Sequence, residues 1–230
     1  MEPYFEHEHF MSEEKNIYDT LFDTLLHYSI EEFSEVKITY NDVISTFYKL
    51  LKAYSSITLS IIRRLGIWGL PPSDDVIKYL QYFTKKNKIT EIIDYGTGRG
   101  LWARILNDVF GDKIKIIAYD NKLPLKNKNV NNQRAFYDIC TIYDFKQLTK
   151  NSLLMLIWPQ HNSSMAYKAL QTCSSKYLLF YGSKEYNATD DFFKVLNENW
   201  TLEKRFDPLI ILRDNLGLYS DKIYIYQRKN

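Results

Sequence analysis

The stretch at residues 89–106, I-T-E-I-I-D-Y-G-T-G-R-G-L-W-A-R-I-L, limits what this chain can fold into more than any other. Its first part is an apolar run broken only by Thr90 and Glu91, short enough for a buried parallel strand. Gly96, Gly98 and Gly100 then fall at alternate positions, and Leu101, Trp102, Ile105, Leu106 and Val109 recur at helical spacing. Strand, glycine turn and helix in that order make a cradle for a phosphate or a nucleoside. Glycine suits the turn because the chain must reverse sharply and let a ligand approach bare backbone.

The glycine spacing narrows the choice. A dinucleotide fingerprint reads G-x-G-x-x-G, but here Leu101 stands where the third glycine belongs. A Walker loop ends in G-K-[ST], which Arg99-Gly100-Leu101 does not match. A glycine-rich turn with no ligand remains open until the downstream residues are read.

At 230 residues the chain has room for one domain and an extension. A net charge of +2 does not indicate a strong nonspecific nucleic-acid binder. Cys140 and Cys173 lack metal-site spacing and suit a reducing compartment. The acidic N-terminus has no basic-then-apolar leader, and Arg63 and Arg64 interrupt the apolar run near residues 57–70. The expectation is a cytoplasmic protein with no membrane span and no metal. His7 and His9 flank Glu8, a spacing conceivable for a metal but much better explained by a loose, solvated terminus.

Residues 1–70 read as a helical extension. Ile17, Leu21, Leu25 and Leu26 share one helical face, and Asn41 is placed to cap a second helix carrying Val43, Ile44, Phe47, Leu50, Leu51 and Tyr54. The G-I-W-G-L-P-P segment at 66–72 is a punctuation mark, and Ser73 caps a helix with Asp74 and Asp75 in its first turn. Residues 113–119 read as a second strand ending at Asp120, about twenty positions beyond the glycines, where a ribose-binding carboxylate is required. On its own, Asp120-Asn121 reads equally as a turn.

Residues 121–132 form a Lys- and Asn-rich loop whose Lys122, Lys126 and Lys128 are solvated by default. Residues 134–139 read as a short third strand with Asp138 near its end, either in a nucleoside pocket or as a helix cap. The fully apolar run at 152–157 belongs at the sheet centre and leads into Trp158-Pro159-Gln160-His161, where open parallel sheets gather their chemistry. Helices are expected at 164–171 and 189–197, a fifth strand at 176–182, and an antiparallel pair from 200–206 and 222–226.

The D-x-G-x-G-x-G pattern and the features in step with it resemble the class I S-adenosylmethionine (SAM) dependent methyltransferases from Trp68 to Arg228. The chain is most similar to a microbial and large-virus subset with W-x-x-P (Trp68, Pro71), then W-A-R after the glycines (Trp102 to Arg104), Y-D (Tyr119, Asp120) and W-P followed by M-A-Y-x-A-L. Such a protein has a doubly wound α/β fold, with a seven-stranded, mostly parallel sheet and a C-terminal antiparallel strand, here spanning residues 71–230 after the helical extension. Two departures stand out: Gln160 and His161 replace the second proline and the aromatic of W-P-P-Y, and Ser183 stands where a glutamate often follows the strand-five glycine.

The resemblance implies SAM as cofactor and an unidentified methyl acceptor. It assigns Trp68, Pro71, Asp94, Tyr95, Gly96, Gly98, Gly100, Trp102, Asp120, Asn121, Asp138 and Ile139 to the cofactor. In that assignment Asp94 serves the methionyl amino end, Asp120 the ribose and Asp138 the adenine. Trp102 is equally read as helix-to-sheet core. Trp158, Pro159, Gln160 and His161 face the acceptor, with His161 either a general base or an exposed loop residue. A methyltransferase-like binding or regulatory protein is the rival expectation, and the glycine spacing disfavours a nicotinamide oxidoreductase.

Overall fold

The computed structural model describes residues 4–29, 38–54, 58, 61–62, 67–121, 135–141, 150–207, 212–214, 217–219 and 221–229. Gly66, Arg63, Arg64 and the loop lysines Lys122, Lys126 and Lys128 lie outside them.

The chain begins with α1 (Tyr4–Ser29), α2 (Tyr40–Ala53) and α3 (Asp74–Lys86). It continues through β1 (Glu91–Tyr95), α4 (Leu101–Phe110), β2 (Lys115–Asp120), β3 (Ile139–Thr141) and β4 (Ser152–Ile157). Then come α5 (Met165–Thr172), β5 (Tyr177–Gly182), α6 (Asp190–Asn199) and β6 (Trp200–Phe206), a hairpin of β7 (Leu212–Asp214) and β8 (Gly217–Tyr219), and β9 (Lys222–Arg228).

The main sheet has seven strands in the order β3-β2-β1-β4-β5-β9-β6. The first five are parallel, and β9 runs antiparallel to both β5 and β6. This is the expected doubly wound, mostly parallel architecture. The apolar strand β4 lies at the centre, and all six of its residues are buried. The C-terminal pair forms as expected, with β9 inserted between β5 and β6. The β7–β8 hairpin was not anticipated, because three-residue strands are too short for an alternation to show.

Strand alternation sends successive side chains to opposite faces. Ile92, Leu153, Met155, Ile157, Leu179 and Tyr181 share one apolar cluster with residues of α1, α2, α3 and α4. Ile93, Leu154, Leu156, Leu178 and Phe180 join α5 and α6 in the other. The N-terminal helices are therefore packed into the same core as the sheet, through Ile17, Leu21, Leu25 and Tyr28 of α1.

Local signals set the helix ends. Ser73 caps α3 as expected, accepting from the N–H of Val76. At α2 the cap is Thr39 and not Asn41. Thr39 and Asp42 form a reciprocal capping box, so the helix starts one residue before Asn41. The third strand begins at Ile139; residues 135–138, expected within it, lie outside it because the N–H of Phe136 donates to the carbonyl of Arg99 at 2.7 Å and draws that segment onto the glycine turn, and 134 lies outside the described residues.

One buried polar contact ties α1 to α4. The Tyr28 hydroxyl donates to Asp108 Oδ2 at 2.6 Å, and Arg104 Nε pairs with Asp108 Oδ1 at 3.3 Å. Burial raises the Tyr28 pKa, and the bond to Asp108 adds to the rise, so the phenol keeps its proton. Tyr28→Phe keeps the ring and removes this bond, at a cost of about 1.5–3 kcal/mol for a charged acceptor. Thermal unfolding should show a melting temperature lower by several degrees with unchanged circular dichroism. An unchanged melting temperature would mean that apolar packing alone docks α1.

Candidate functional site

The glycine turn is built by backbone bonds to the end of β2. The N–H groups of Gly96 and Thr97 both donate to the Tyr119 carbonyl, at 2.8 and 3.0 Å. The N–H of Gly98 donates to Asp120 Oδ2 at 2.8 Å, and that of Gly100 to the Thr97 carbonyl at 3.1 Å. Gly96, Gly98 and Gly100 have φ of 82°, 61° and 80°, a region that favours glycine. A Cβ at Gly96 would meet the flexible end of Met165, Cε at 2.8 Å, which can shift, so the need for glycine there lies in the positive φ. These amides are held by the protein's own acceptors, so they do not form the free N–H cradle that a phosphate requires.

Two carboxyl groups sit beside the turn. Asp94, next to last in β1, is 1% exposed; its Oδ2 accepts from the Thr97 hydroxyl at 2.5 Å, and its Oδ1 is buried with no hydrogen-bond partner among the described residues. Asp120 closes β2 and is 9% exposed. Burial pushes the Asp94 carboxyl up to about 7; the Thr97 bond opposes the rise, the nearby charge of Asp120 adds to it, and the Ala103 N–H opposes it.

The segment at 67–72 crosses the carboxyl ends of β4 and β5. Gly69, at φ 75°, leaves no room for a Cβ against Ile157 and Tyr181. Leu70 and Pro71 are buried, the Tyr48 hydroxyl donates to the Pro71 carbonyl at 3.0 Å, and Trp68 remains 42% exposed. Trp102 is 1% exposed and its indole N–H donates to the Leu70 carbonyl at 2.9 Å. Its ring thus packs as core, the second of the two readings, and supports the crossing segment from below.

Beyond β4, the N–H of Trp158 donates to the Tyr181 carbonyl at 2.9 Å, and the two rings lie 6.1 Å apart. Trp158 is half-buried, Pro159 buried, and Gln160 and His161 exposed. The loop meets the one after β5 through a bridge between Gln160 and Asn187. Sequence reading gave no site role to Asn187, Thr97 or Met165, although Met165 opens the M-A-Y-x-A-L motif.

Not every expected cofactor residue reaches this crevice. Asp138 is exposed and precedes β3, whose register sets Ile139 against Ala118 and Thr141 against Asp120. Asp138 therefore lies about 10 Å, or three residues of strand rise, short of the carboxyl edge. Ile139 packs at the margin of the core. Tyr95 is buried in the cluster under α5 and α6, and Asn121 is exposed just after β2. Among the described residues no group of three or more His, Cys, Asp or Glu could hold a metal ion, and no helix is long and apolar enough to cross a membrane.

No protein-family model matches the chain, and no curated protein matches it. Solved structures similar to it include a putative O-methyltransferase from Klebsiella pneumoniae, at 9% identity over 81% of this chain and 97% of that one, with a TM-score of 0.46. A protein of Thermoplasma acidophilum is 14% identical over 73% of this chain and 94% of that one, with a TM-score of 0.44. The N-methyltransferase NodS from Bradyrhizobium japonicum is 8% identical over 68% and 99%, with a TM-score of 0.41. At such values the likeness concerns the path of the chain; ligand and chemistry rest on the residues described above.

The raised Asp94 pKa gives a signed expectation. An unfolded aspartate ionises near 3.8, whereas folded Asp94 keeps its proton to about 7. Across that window the folded state binds more protons, so this group's contribution to stability declines as pH rises and reaches its lowest level above pH 7. Asp94→Asn keeps an oxygen for Thr97 and carries no charge. Its melting temperature relative to wild type should therefore increase from pH 4 to pH 8. A difference that does not vary with pH would show that Asp94 titrates as an ordinary carboxyl.

Proposed function

We propose that this chain is a SAM-dependent methyltransferase. The observation that carries the reading is the pair of buried carboxyl groups, Asp94 and Asp120, beside a turn in which the N–H groups of Gly96, Thr97, Gly98 and Gly100 are already bonded within the protein. A nicotinamide dinucleotide would bring a pyrophosphate to that turn, against two acids and with four of the turn's amides already engaged. SAM brings an ammonium and a sulfonium, and the buried Asp94 Oδ1 is an acceptor suited to a positive donor.

In this reading Asp94 holds the methionyl amino end, directly or through water, and Asp120 accepts from the ribose hydroxyls. Bound SAM supplies an electrophilic methyl group on a good neutral leaving group. The chain's own task is then alignment and the exclusion of water. The 67–72 segment, fixed by Trp102 and Tyr48, walls the crevice, and residues 1–70 help to close it. Trp158, Pro159 and Gln160 hold the acceptor, a small molecule, protein or RNA, and His161 takes its proton.

A second reading, a methyltransferase-like binding protein with an altered acceptor side, is favoured by the exposure of Gln160 and His161 in place of a second proline and an aromatic. Calorimetry with SAM, S-adenosylhomocysteine and NAD separates these from an oxidoreductase. Incubation of cell extract with labelled SAM separates the two from each other. NAD binding without adenosyl binding would overturn both.

Asp120→Ala should weaken SAM binding by roughly tenfold to more than a hundredfold, the effect of losing a charged hydrogen bond of about 1.5–3 kcal/mol. Asp120→Asn should fall between, with folding checked by circular dichroism. Wild-type affinity in folded Asp120→Ala would place the ribose elsewhere. His161→Ala should lower transfer at saturating SAM and leave SAM affinity nearly unchanged. Undiminished transfer would remove His161 from the chemistry.

A further inference from the structure

The loops beyond β4 and β5 are joined by backbone bonds and by the side chain of Asn187. Asn187 is 8% exposed; its Oδ1 accepts from the N–H of Ser183 at 2.9 Å, and its Nδ2 donates to the Pro159 carbonyl at 3.2 Å. The same carbonyl accepts from the N–H of Ala188 at 3.1 Å, and the N–H of Asn162 donates to the Ala188 carbonyl at 3.2 Å. Gly182, at φ 155°, makes room for this arrangement, since a Cβ there would lie 2.5 Å from Asn187 Oδ1.

The two loops hold unusual backbone. Trp158, Asn162 and Ala188 have φ of 43°, 59° and 58°, in the region where residues with a Cβ are strained. Such conformations persist where surrounding bonds over-determine them, and they gather at functional sites. Beside the clamp, the Ser183 hydroxyl is buried with no hydrogen-bond partner among the described residues. Most buried hydroxyls are paired, so an open one at this corner marks a group with bonding capacity to spare.

We infer that Asn187 is a positioning residue for methyl transfer: its carboxamide sets the Trp158–Pro159–Gln160–His161 turn and Ser183 in fixed relation at the ends of β4 and β5. The inference rests on the reading of that turn as the acceptor side. Asn187 itself touches neither cofactor nor acceptor. It acts through Pro159 and Ser183, and small displacements of positioning groups cost transfer rates steeply.

The test uses the full chain with tritiated SAM and a cell extract as the nucleophile pool. Asn187→Ala should lower transfer per folded molecule by roughly tenfold to a hundredfold and leave SAM affinity, by calorimetry, within about twofold of wild type. Asn187→Asp keeps the size and the acceptor for Ser183 but cannot donate to Pro159. It should fall nearly as far, which a packing role would not cause. Gly182→Ala displaces an intact Asn187 and should act in the same direction, so these two variants decide the matter if Asn187→Ala does not fold. Hydrogen exchange should quicken at residues 158–163 in each. Wild-type transfer by folded Asn187→Ala or Asn187→Asp would overturn the proposal alone. SAM binding with no transfer by the wild type would remove the reading beneath it.

Discussion

The bonds from the glycine turn to the end of β2 are the constraint on which the rest of the crevice depends. Tyr95 and Tyr119 are paired in the β1–β2 register, and the Tyr119 carbonyl then takes the N–H groups of Gly96 and Thr97 beyond the end of β1. Asp120 takes the next amide, from Gly98. The turn therefore has its shape without any ligand, and α4 starts from a fixed point at Gly100. The same bonds set the two carboxyl groups in place, Asp94 within β1 and Asp120 at the close of β2. Preorganisation of this kind lowers the cost of ordering a site when a ligand arrives.

That placement has an electrostatic consequence. Two acids near one another in a buried environment disfavour their joint ionisation. At Asp94, whose Oδ1 is unpartnered among the described residues, burial is the larger cause, pushing the carboxyl up to about 7 against the bond from Thr97, and the charge of Asp120 adds to the rise. A cationic group reverses the balance, because it favours the ionised carboxyl and gives the open oxygen a donor. A phosphate worsens it. Selection by charge sign thus follows from the strand ends themselves, before any contact with an adenine or a ribose is considered.

Much of the fold was legible because the strand signal is strong where burial is complete. Residues 152–157 could only be a central strand, and β1, β2 and β5 carried the same signature. The third strand was misplaced because R-A-F-Y-D-I alternates like a strand, while the bond from Phe136 to Arg99 holds its first half against the turn. Asp138 therefore falls just before the strand and not within it. Trp102 shows a different limit: an indole suits a core and a pocket equally, and the Leu70 carbonyl, 32 residues away, decides between them. Asn187 opens an N-x-[ST] match, which says nothing of this role, and its partner Pro159 is 28 residues distant with no periodic pattern to link them.

The two halves of the crevice are made of different material. The half beside β1 and β2 is built from backbone bonds and buried acids, so substitutions there disturb fold and ligand together. The half beside β4 and β5 presents the exposed Gln160 and His161 on a frame made by Asn187, Gly182 and the carbonyl of Pro159. Exposed side chains on a rigid frame can be exchanged with little effect on stability. Gln160 and His161 are the exposed positions of the turn, whereas Pro159 is buried and Trp158 holds a φ of 43°. A chain drifting toward a purely binding role has no need to keep strained backbone around an acceptor turn, because strain costs stability and serves only a geometry that is used. In the proposed reading, that frame, more than the identity of the two exposed residues, favours a working acceptor side over the binding-protein alternative.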